Sequence, residues 1–427
     1  MSETRGVLVI GGGIAGIQAS LDLADQGFIV YLVEKNPSIG GRMAQLDKTF
    51  PTMDCSACIL TPKMVDVGRH PNIRLLTYSE IGEVSRAGEN FRVRVLKKPR
   101  YVDETKCTGC GICAQHCPVE TLNEFDERLG VRRAIYVPFP QAVPLLYTID
   151  KENCLECGLC EKVCGAKAVN LEQQPEELNV EVGAIIVATG YDLFDARKKE
   201  EYGYGIYDNV LTGLALERLL SASGPTGGRI VRPSDGKIPR KIAFVQCVGS
   251  RDEKAGNLYC SRVCCMYATK DAQLIKEHVP DAEVTIFYMD IRAFGKGFEE
   301  FYRRAEREFD IRYVKGRVAE ILEDTVTKNL LIRAENIESN ELVQEEVDLV
   351  ILSAGLVPAV TDEMKKVLPI PLGDDGFFAT AHPKIDPVTT ALKRVFTAGV
   401  AEGPKDIPDS VAQASAAAMK ASIVLKE

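Results

Sequence analysis

No run of about 18 apolar residues, the length a membrane-spanning helix needs, occurs in the sequence, so no spanning segment is expected. The chain opens MSETRGVLVIGGG, straight into a strand pattern, without the apolar core of a secretory leader and without a twin-arginine motif. No dense basic stripe offsets 61 acidic against 52 basic residues, a net charge of −9, which argues against a nucleic-acid binder. Histidine is scarce. His70, His278 and His382 stand apart, and His116, between two cysteines, reads as a ligand's neighbour or an exposed side chain rather than a ligand. What is present is ordinary for a globular protein: 427 residues, 45% hydrophobic and 26% charged. That length suits two or three domains at roughly 150 residues each.

Cysteine is the exception, with 14 in the chain. Without an export signal, that many thiols fit a reducing compartment, where they serve metals and redox chemistry. A cytoplasmic location is expected, peripheral to the inner face of a membrane if partner subunits hold the chain there. Eight of the 14 form two copies of one spacing. The first is Cys107-x2-Cys110-x2-Cys113-x3-Cys117, followed by Pro118, and the second is Cys154-x2-Cys157-x2-Cys160-x3-Cys164. Each copy matches the run that ligates [4Fe–4S] clusters in two-cluster ferredoxins. Three closely spaced thiolates on a tight turn hold three corners of a cube, and the fourth ligand comes from the other run. The expected sets are therefore Cys107, Cys110, Cys113 and Cys164 for one cluster, and Cys154, Cys157, Cys160 and Cys117 for the second. Gly109, Gly111 and Gly158 suit a backbone that must turn sharply beside a cluster. Zinc knuckles pair two short Cys-x2–4-Cys units, a different pattern from two four-cysteine runs.

A second motif opens the chain. Gly6 to Gly11 is a continuous apolar run, the mark of a strand buried on both faces. Gly11-x-Gly13-x-x-Gly16 follows at once, then Ile14, Ile17, Leu21 and Ala24 at helical spacing, then a second apolar run from Phe28 to Val33 ending in Glu34-Lys35. This is a βαβ unit with the dinucleotide fingerprint in register. The first glycine makes the turn, the second admits a pyrophosphate, and the third lets helix and strand pack closely. The helix N-terminus supplies an anion site. Glu34, 18 residues after Gly16, is placed to take ribose hydroxyls.

Three further stretches resemble FAD-dependent flavoproteins with two dinucleotide-binding domains, such as the thioredoxin reductase group. They are Gly40-Gly41-Arg42, the strand Ala184 to Val187 running into Ala188-Thr189-Gly190, and Val395-Phe396-Thr397-Ala398-Gly399. The acid that usually follows the last glycine is absent, and Glu402 is the available substitute. FAD is accordingly the expected occupant. Cys55-Ser56-Ala57-Cys58 lies soon after the first flavin segment, with Lys63 close behind. The pair suits a reversible disulfide facing a flavin, two cluster ligands, or two structural thiols.

The ferredoxin-like stretch interrupts the flavin pattern, so the FAD-binding domain is expected in three segments, 1–97, 173–212 and 356–427. The inserted ferredoxin module takes 98–172, and a second Rossmann-like domain takes 213–355. In the second domain the strand Lys241 to Gln246 is followed by Cys247-Val248-Gly249-Ser250-Arg251-Asp252, which keeps one glycine of a nicotinamide fingerprint. Instead, Cys247-x12-Cys260-x3-Cys264-Cys265 offers four thiols. With a helix from about Tyr259 to Glu277, Cys260 and Cys264 face one way. The set suits a third [4Fe–4S] cluster, the bland alternative being a cysteine-rich helix packed in a core.

Taken together, Gly11 to Gly16, the stretch Thr52 to Met64, the ferredoxin insertion, and Cys247 through Ala268 closely resemble the A subunit of heterodisulfide reductase across nearly the whole chain. The resemblance implies an α/β, thioredoxin reductase-like oxidoreductase subunit with an inserted two-cluster ferredoxin. It would hold FAD and several [4Fe–4S] clusters and relay electrons between partner subunits, in some members by bifurcation at the flavin. A related subunit belongs to a quinone-interacting membrane complex of sulfate reducers. Longer members carry an extra N-terminal domain and a C-terminal ferredoxin module, and a shorter form suits a simplified assembly. An NAD(P)H-dependent oxidoreductase resembling the glutamate synthase small subunit is the competing expectation.

Overall fold

A computed structural model describes residues 6–426, so the opening residues Met1 to Arg5 lie outside the described residues. The chain forms two compact units: Met1–Ala44 with Ala57–Tyr191 and Pro358–Glu427, and Gln45–Ser56 with Asp192–Val357.

The first unit is built on a five-stranded parallel sheet in the order Val395–Thr397, Ala184–Val187, Gly6–Ile10, Ile29–Glu34, Ile73–Thr77. Val7, Leu8, Val9, Ile185, Ile186 and Val187 have no exposed surface, as a strand covered on both faces requires. One face carries the helices Ile14–Asp25 and Ile407–Lys426. They meet through small side chains, among them Ala15, Ala19, Ala414, Ala417 and Ala421. A leucine at Ala417, which is fully buried, would overpack this seam at a cost of about 1–3 kcal/mol. The other face is covered by a three-stranded antiparallel sheet, Glu176–Val182, Asn90–Lys97 and Ser79–Ala87.

The ferredoxin-like module is an insertion in that antiparallel sheet. Lys97 pairs directly with Glu176, so the chain leaves and re-enters at neighbouring points and the interrupted ladder still closes. The module has two short helices, Ile112–Gln115 and Leu159–Val163, and two small strand pairs, Glu120–Leu122 with Val131–Arg133 and Ile135–Tyr136 with Thr148–Ile149. Its apolar core is small (Val102, Cys113, Ile135, Ile149, Ala168, Val169), and five more of its cysteines pack around it. A core of that size is one that metal ligation would supplement.

The second unit repeats the plan. Its parallel sheet runs Val210–Thr212, Leu349–Ala354, Lys241–Val248, Glu283–Tyr288, Arg312–Lys315, beside an antiparallel sheet of Val318–Glu323, Leu330–Asn336 and Glu341–Val347. Lys241–Val248 stands in the centre, as Gly6–Ile10 does in the first unit. Val210–Thr212 belongs to this sheet although it precedes residue 213.

One expected helix differs. Helix Cys264–His278 begins four residues later than Cys260, which lies in the preceding loop. Arg262 has a φ of 62°, a left-handed conformation that interrupts the helix. Ser261 fixes that loop, since its Oγ accepts from Leu356 N at 2.9 Å and its backbone N–H donates to Ser250 Oγ at 3.1 Å. Helix Phe298–Glu308 is amphipathic, burying Phe298, Phe301, Tyr302 and Ala305.

Candidate functional site

The glycine loop of the first unit forms a cradle. Gly11 has a φ of 106°, and a Cβ there would lie 2.3 Å from Ala188 O. A Cβ on Gly16 would lie 1.8 Å from Gly11 O, so helix and strand approach only with hydrogen at that position. A Cβ on Gly13 would meet nothing nearer than Gly41 Cα at 4.0 Å, which leaves its face open. Gly399, with a φ of 66°, packs against Ala15 closely enough that a Cβ would fall 2.7 Å from that side chain. The structure thus brings together the four segments expected to hold a dinucleotide: Gly11 to Gly16, Gly41-Arg42, Thr189-Gly190 and Gly399. Thr189 Oγ1 is buried beside them without a hydrogen-bond partner among the described residues, and Gly190 has open space where a side chain would be. An open glycine face, an orphaned hydroxyl and a helix N-terminus together fit a cofactor with a pyrophosphate.

Glu34 is buried, and its carboxylate is tied to protein groups. Oε2 accepts from Gly12 N at 2.7 Å, and Oε1 accepts from Asn36 N at 2.8 Å and Asn36 Nδ2 at 2.7 Å. Burial raises its pKa and these bonds oppose the shift. Glu34 therefore anchors the glycine loop to the end of the second strand, and Asn36 is a partner that no sequence motif marks. Lys35 is exposed. Glu402 is likewise engaged: Lys405 Nζ donates to its Oε2 at 2.9 Å and Gln413 Nε2 at 3.2 Å, while Lys405 also reaches Gly399 O at 2.7 Å.

In the inserted module Cys110 and Cys157 are exposed, Cys113 is buried, and the other five are half-buried. Cys117 lines one cavity with Cys154, Cys157 and Cys160, so the last cysteine of the first run faces the second run. Gly111 and Gly158, both left-handed, precede the two short helices. A Cβ on Gly109 would press to 2.9 Å from Leu145 O. Burial pushes the Cys113 thiol up to about 12, reinforced by the neighbouring Cys107, Cys110 and Cys160. Cys160 is raised by burial and then by Cys154, Cys157 and Cys117. Backbone N–H groups point at two of the sulfurs, Glu156 N to Cys154 at 3.4 Å and Ala168 N to Cys164 at 3.3 Å. His116 is exposed, and its Nδ1 lies 2.9 Å from Ile112 O.

The second unit gathers Cys247, Cys260, Cys264 and Cys265 at the C-terminal end of its central strand. Cys247 sits there with a φ of 61°. Burial pushes its thiol up to about 12, with Cys265 and Cys260 adding to the shift. The Cys264 thiol is pushed well above its ordinary value by burial and then by the other three. Arg262 N donates to Cys260 Sγ at 3.3 Å, and Arg251 pairs with Asp290 beside the group. Gly249 is left-handed and lies against Phe194, where a Cβ would fall 2.1 Å from the ring. Clustered buried thiols bear charge poorly unless cations share it, and metal ions supply that charge. Among the described residues no three His, Cys, Asp or Glu side chains converge on a single ion. A cube asks for a different geometry, one thiolate on each iron.

Of the remaining candidates, Cys58 lies in the first turn of helix Ser56–Arg69 and Cys55 just before it, both exposed. The division between the two units falls between Ser56 and Ala57. Lys63 Nζ donates to Gln18 Oε1 at 2.7 Å, on the helix that follows the glycine loop. Nothing in the sequence pattern marks the buried charge group of the second unit. There Lys270 pairs with Glu217 and, at 3.0 Å, with Asp271, and all three are buried.

Two protein-family models match: an FAD-dependent oxidoreductase over residues 6–54 and a 4Fe–4S dicluster domain over residues 106–169. The chain is 62% identical over 423 residues to an iron–sulfur A subunit of the CoB–CoM heterodisulfide reductase of Methanopyrus kandleri, covering 99% of this chain and 64% of that protein. It is 60% identical over 424 residues to the A subunit of the H2/formate:CoB-CoM heterodisulfide,ferredoxin reductase of Methanococcus maripaludis, covering 99% and 64%. It is 50% identical over 419 residues to the A subunit of the ferredoxin/F420H2-dependent CoB-CoM heterodisulfide reductase of Methanosarcina acetivorans, covering 98% and 53%. The chain therefore spans less than two thirds of the length of these relatives. In fold it is similar to the thioredoxin reductases of Lactococcus lactis (TM-score 0.56, 15% identity, 99% of each chain) and T. acidophilum (TM-score 0.54, 14% identity, 99% and 98%). No helix among the described residues is long and apolar enough to cross a membrane.

Proposed function

The chain belongs to the family of heterodisulfide reductase A subunits, and from this premise we propose that it is the FAD and iron–sulfur electron-relay subunit of a heterodisulfide reductase-like oxidoreductase complex, passing electrons between partner subunits. FAD would supply two-electron redox chemistry and each [4Fe–4S] cluster a one-electron step. The observation that carries the reading is the placement of Cys117 in one cavity with Cys154, Cys157 and Cys160, the exchange of ligands between runs that a two-cluster ferredoxin needs.

The ligand sets we propose are Cys107, Cys110, Cys113 and Cys164; Cys154, Cys157, Cys160 and Cys117; and Cys247, Cys260, Cys264 and Cys265. Gly11, Gly13, Gly16, Gly41, Arg42, Thr189, Gly190 and Gly399 would hold FAD, with Glu34 holding the glycine loop in shape. The protein's role is to position and to tune. N–H donors aimed at Cys154, Cys164 and Cys260 favour the electron-rich form of whatever those sulfurs ligate. The thiols at the centre of the second unit stand where a nicotinamide site would need glycines, which speaks against the NAD(P)H-dependent alternative.

Iron and acid-labile sulfide measured on anaerobically prepared protein test the reading, with about twelve of each per chain expected for three cubes. Fewer than about eight irons would sink the two-cluster module, and Cys264→Ala that left iron content unchanged would sink the third cluster. Titration with NADPH separates the alternative, since prompt flavin bleaching is expected only of that enzyme.

A further inference from the structure

Arg100 enters the inserted module directly after the strand Asn90–Lys97 and Pro99, and it is fully buried. Its guanidinium reaches four acceptors. Nε donates to Glu104 Oε1 at 2.9 Å and Nη1 to Thr148 Oγ1 at 2.8 Å, both in the module. Nη2 donates to Pro37 O at 2.7 Å and Thr77 Oγ1 at 2.5 Å, both in the dinucleotide-binding half of the same compact unit. Its own carbonyl accepts from Ile149 N at 2.9 Å. A planar fork with several donors in fixed directions can join four points at once, which an ammonium cannot.

Pro37 leads straight into the segment that carries Gly40-Gly41-Arg42, and the module grips that segment a second time. Ser38 Oγ accepts from Val143 N at 2.9 Å, and Ile39 N donates to Val143 O at 3.1 Å. Phe139 stacks on Phe125 at 4.7 Å and lies close to Gly40. Arg42 pairs with Glu127 at 3.6 Å. Burial pulls the Arg100 pKa down against the pull of Glu104, so the position is costly to fill with a charge. A hydrophobic side chain would fill the volume without tying the two halves together.

We propose that Arg100 is a positioning residue that locks the ferredoxin-like module onto the cofactor loop Ser38–Arg42, holding the separation between flavin and module clusters at one value. The inference rests on the flavin and cluster reading above. It makes the module a fixed piece of the flavin unit rather than a swinging carrier.

The test uses the full chain as wild type, Arg100→Gln, Arg100→Lys and Thr148→Val. Three quantities are read: FAD and iron per chain, amide hydrogen exchange, and the redistribution of electrons between flavin and cluster absorbance after flash photoreduction. In that redistribution each electron lost by the flavin reduces one cluster, and the flavin proton passes to water. In Arg100→Gln, FAD and iron should match wild type. Exchange should rise by roughly tenfold or more at Ser38–Arg42 and Val143–Ile149 together, as loss of a charged hydrogen bond implies. Redistribution should slow by roughly tenfold or more, the penalty for small misplacements. Arg100→Lys should resemble Arg100→Gln, because charge without the fork cannot rejoin the four acceptors. Thr148→Val should shift the same two segments by less.

Normal redistribution in a fully loaded Arg100→Gln protein would overturn the proposal. So would a rise in exchange spread evenly through both units, including the strand Gly6–Ile10, which would mark an ordinary core residue. If Arg100→Gln does not fold, Thr148→Val decides, and unchanged exchange at the two segments refutes the lock. If wild type binds neither FAD nor iron, the functional reading fails, while the exchange comparison still decides whether Arg100 joins the segments.

Discussion

Replacing Lys270 with methionine should be among the most damaging single changes in the second unit, although Lys270 touches none of the proposed ligands. The side chain is 1% exposed and is paired with two acids, Glu217 at 3% and Asp271 at 0%. Nζ also donates to Lys48 O at 3.0 Å, and Glu217 Oε2 accepts from Asp47 N at 2.9 Å, so the group pins the segment Gln45–Ser56 to the rest of its unit. Burial opposes the lysine's charge, but the two carboxylates outweigh it and hold its pKa above the ordinary value. Asp271 is driven the other way: burial, then Glu217, raises its pKa well above that of an exposed carboxylate. Removing the cation leaves two buried acids facing one another. Breaking a buried pair from one side costs about 3–5 kcal/mol. For a unit of about 180 residues that is roughly a 10 °C fall in Tm.

The pH dependence has a definite sign. A carboxyl with a raised folded pKa keeps a proton that the unfolded chain has already lost above pH ~4. The native state then binds more protons, and stability falls as pH rises, by up to about 1.4 kcal/mol per pH unit for one group. Lys270→Met should extend that fall to higher pH, because Asp271 loses the cation that favours its ionised form. Lys270→Met/Glu217→Leu, which removes one charge of each sign, should be more stable than Lys270→Met alone by about 2 kcal/mol or more. Denaturant melts followed by circular dichroism between pH 5 and 8 read all three. A single-mutant cost below about 1 kcal/mol, or a double mutant no better than the single, would refute the buried-charge account.

Three other outcomes follow from the geometry. Cys117→Ser should lose about four irons and expose Cys154 and Cys160 to alkylation while Cys107 and Cys113 stay protected; the reverse protection pattern, read by mass spectrometry, would refute the crossed ligands. Gly13→Ala should fold normally and fail to retain FAD, since its Cβ fills the open face of the cradle, whereas Gly16→Ala should destabilise the first unit itself because its Cβ would meet Gly11 O at 1.8 Å; equal stability of the two variants in thermal melts would contradict this division. Arg251→Gln should lower the reduction potential of a cluster on Cys247, Cys260, Cys264 and Cys265, because a cation beside it favours the added electron; a potentiometric titration showing no change would place the guanidinium's influence on Asp290 alone.

What can be read from the sequence divides by the range of the interaction that decides it. The strands Gly6–Ile10 and Ala184–Val187 are legible because each is an unbroken apolar run buried on both faces, whereas Ile73–Thr77 and Arg312–Lys315 carry charged side chains and no such run marks them. The cysteine runs are legible because the three leading ligands of a cube lie within one turn of chain. The helix start at Cys264 is hidden for a local reason that propensity does not report. Arg262 adopts a left-handed φ of 62° because Ser261 is held by Leu356 and Ser250, distant in sequence and near in space. Position alone makes Glu34 a candidate ribose ligand, and only the fold adds that its oxygens also accept from Gly12 and Asn36. Arg100, Lys270, Glu217 and Asp271 carry no sequence signature at all, since a charged residue is ordinarily exposed and only the fold reveals otherwise.

The same division accounts for the different fillings of the two units. Both place a central strand's C-terminal end at the reversal of strand order, where open α/β sheets bind their ligands. In the first unit the helix starts at Ile14, four residues after the strand ends at Ile10, so its N-terminal N–H groups face whatever sits at the turn. In the second unit the strand ends at Val248 and the helix starts only at Cys264. The intervening loop returns along the strand end through Arg251 N to Tyr259 O, at 2.9 Å, and brings Cys260 close to the other three thiols. A helix start delayed in this way cannot present fresh N–H donors at the strand end, but it can present two thiols of its first turn beside one from the strand and one from the loop. One fold plan thus yields an anion site where the connection is short and a four-thiol site where it is long, and connection length, more than the count of glycines, sets which chemistry each unit can hold.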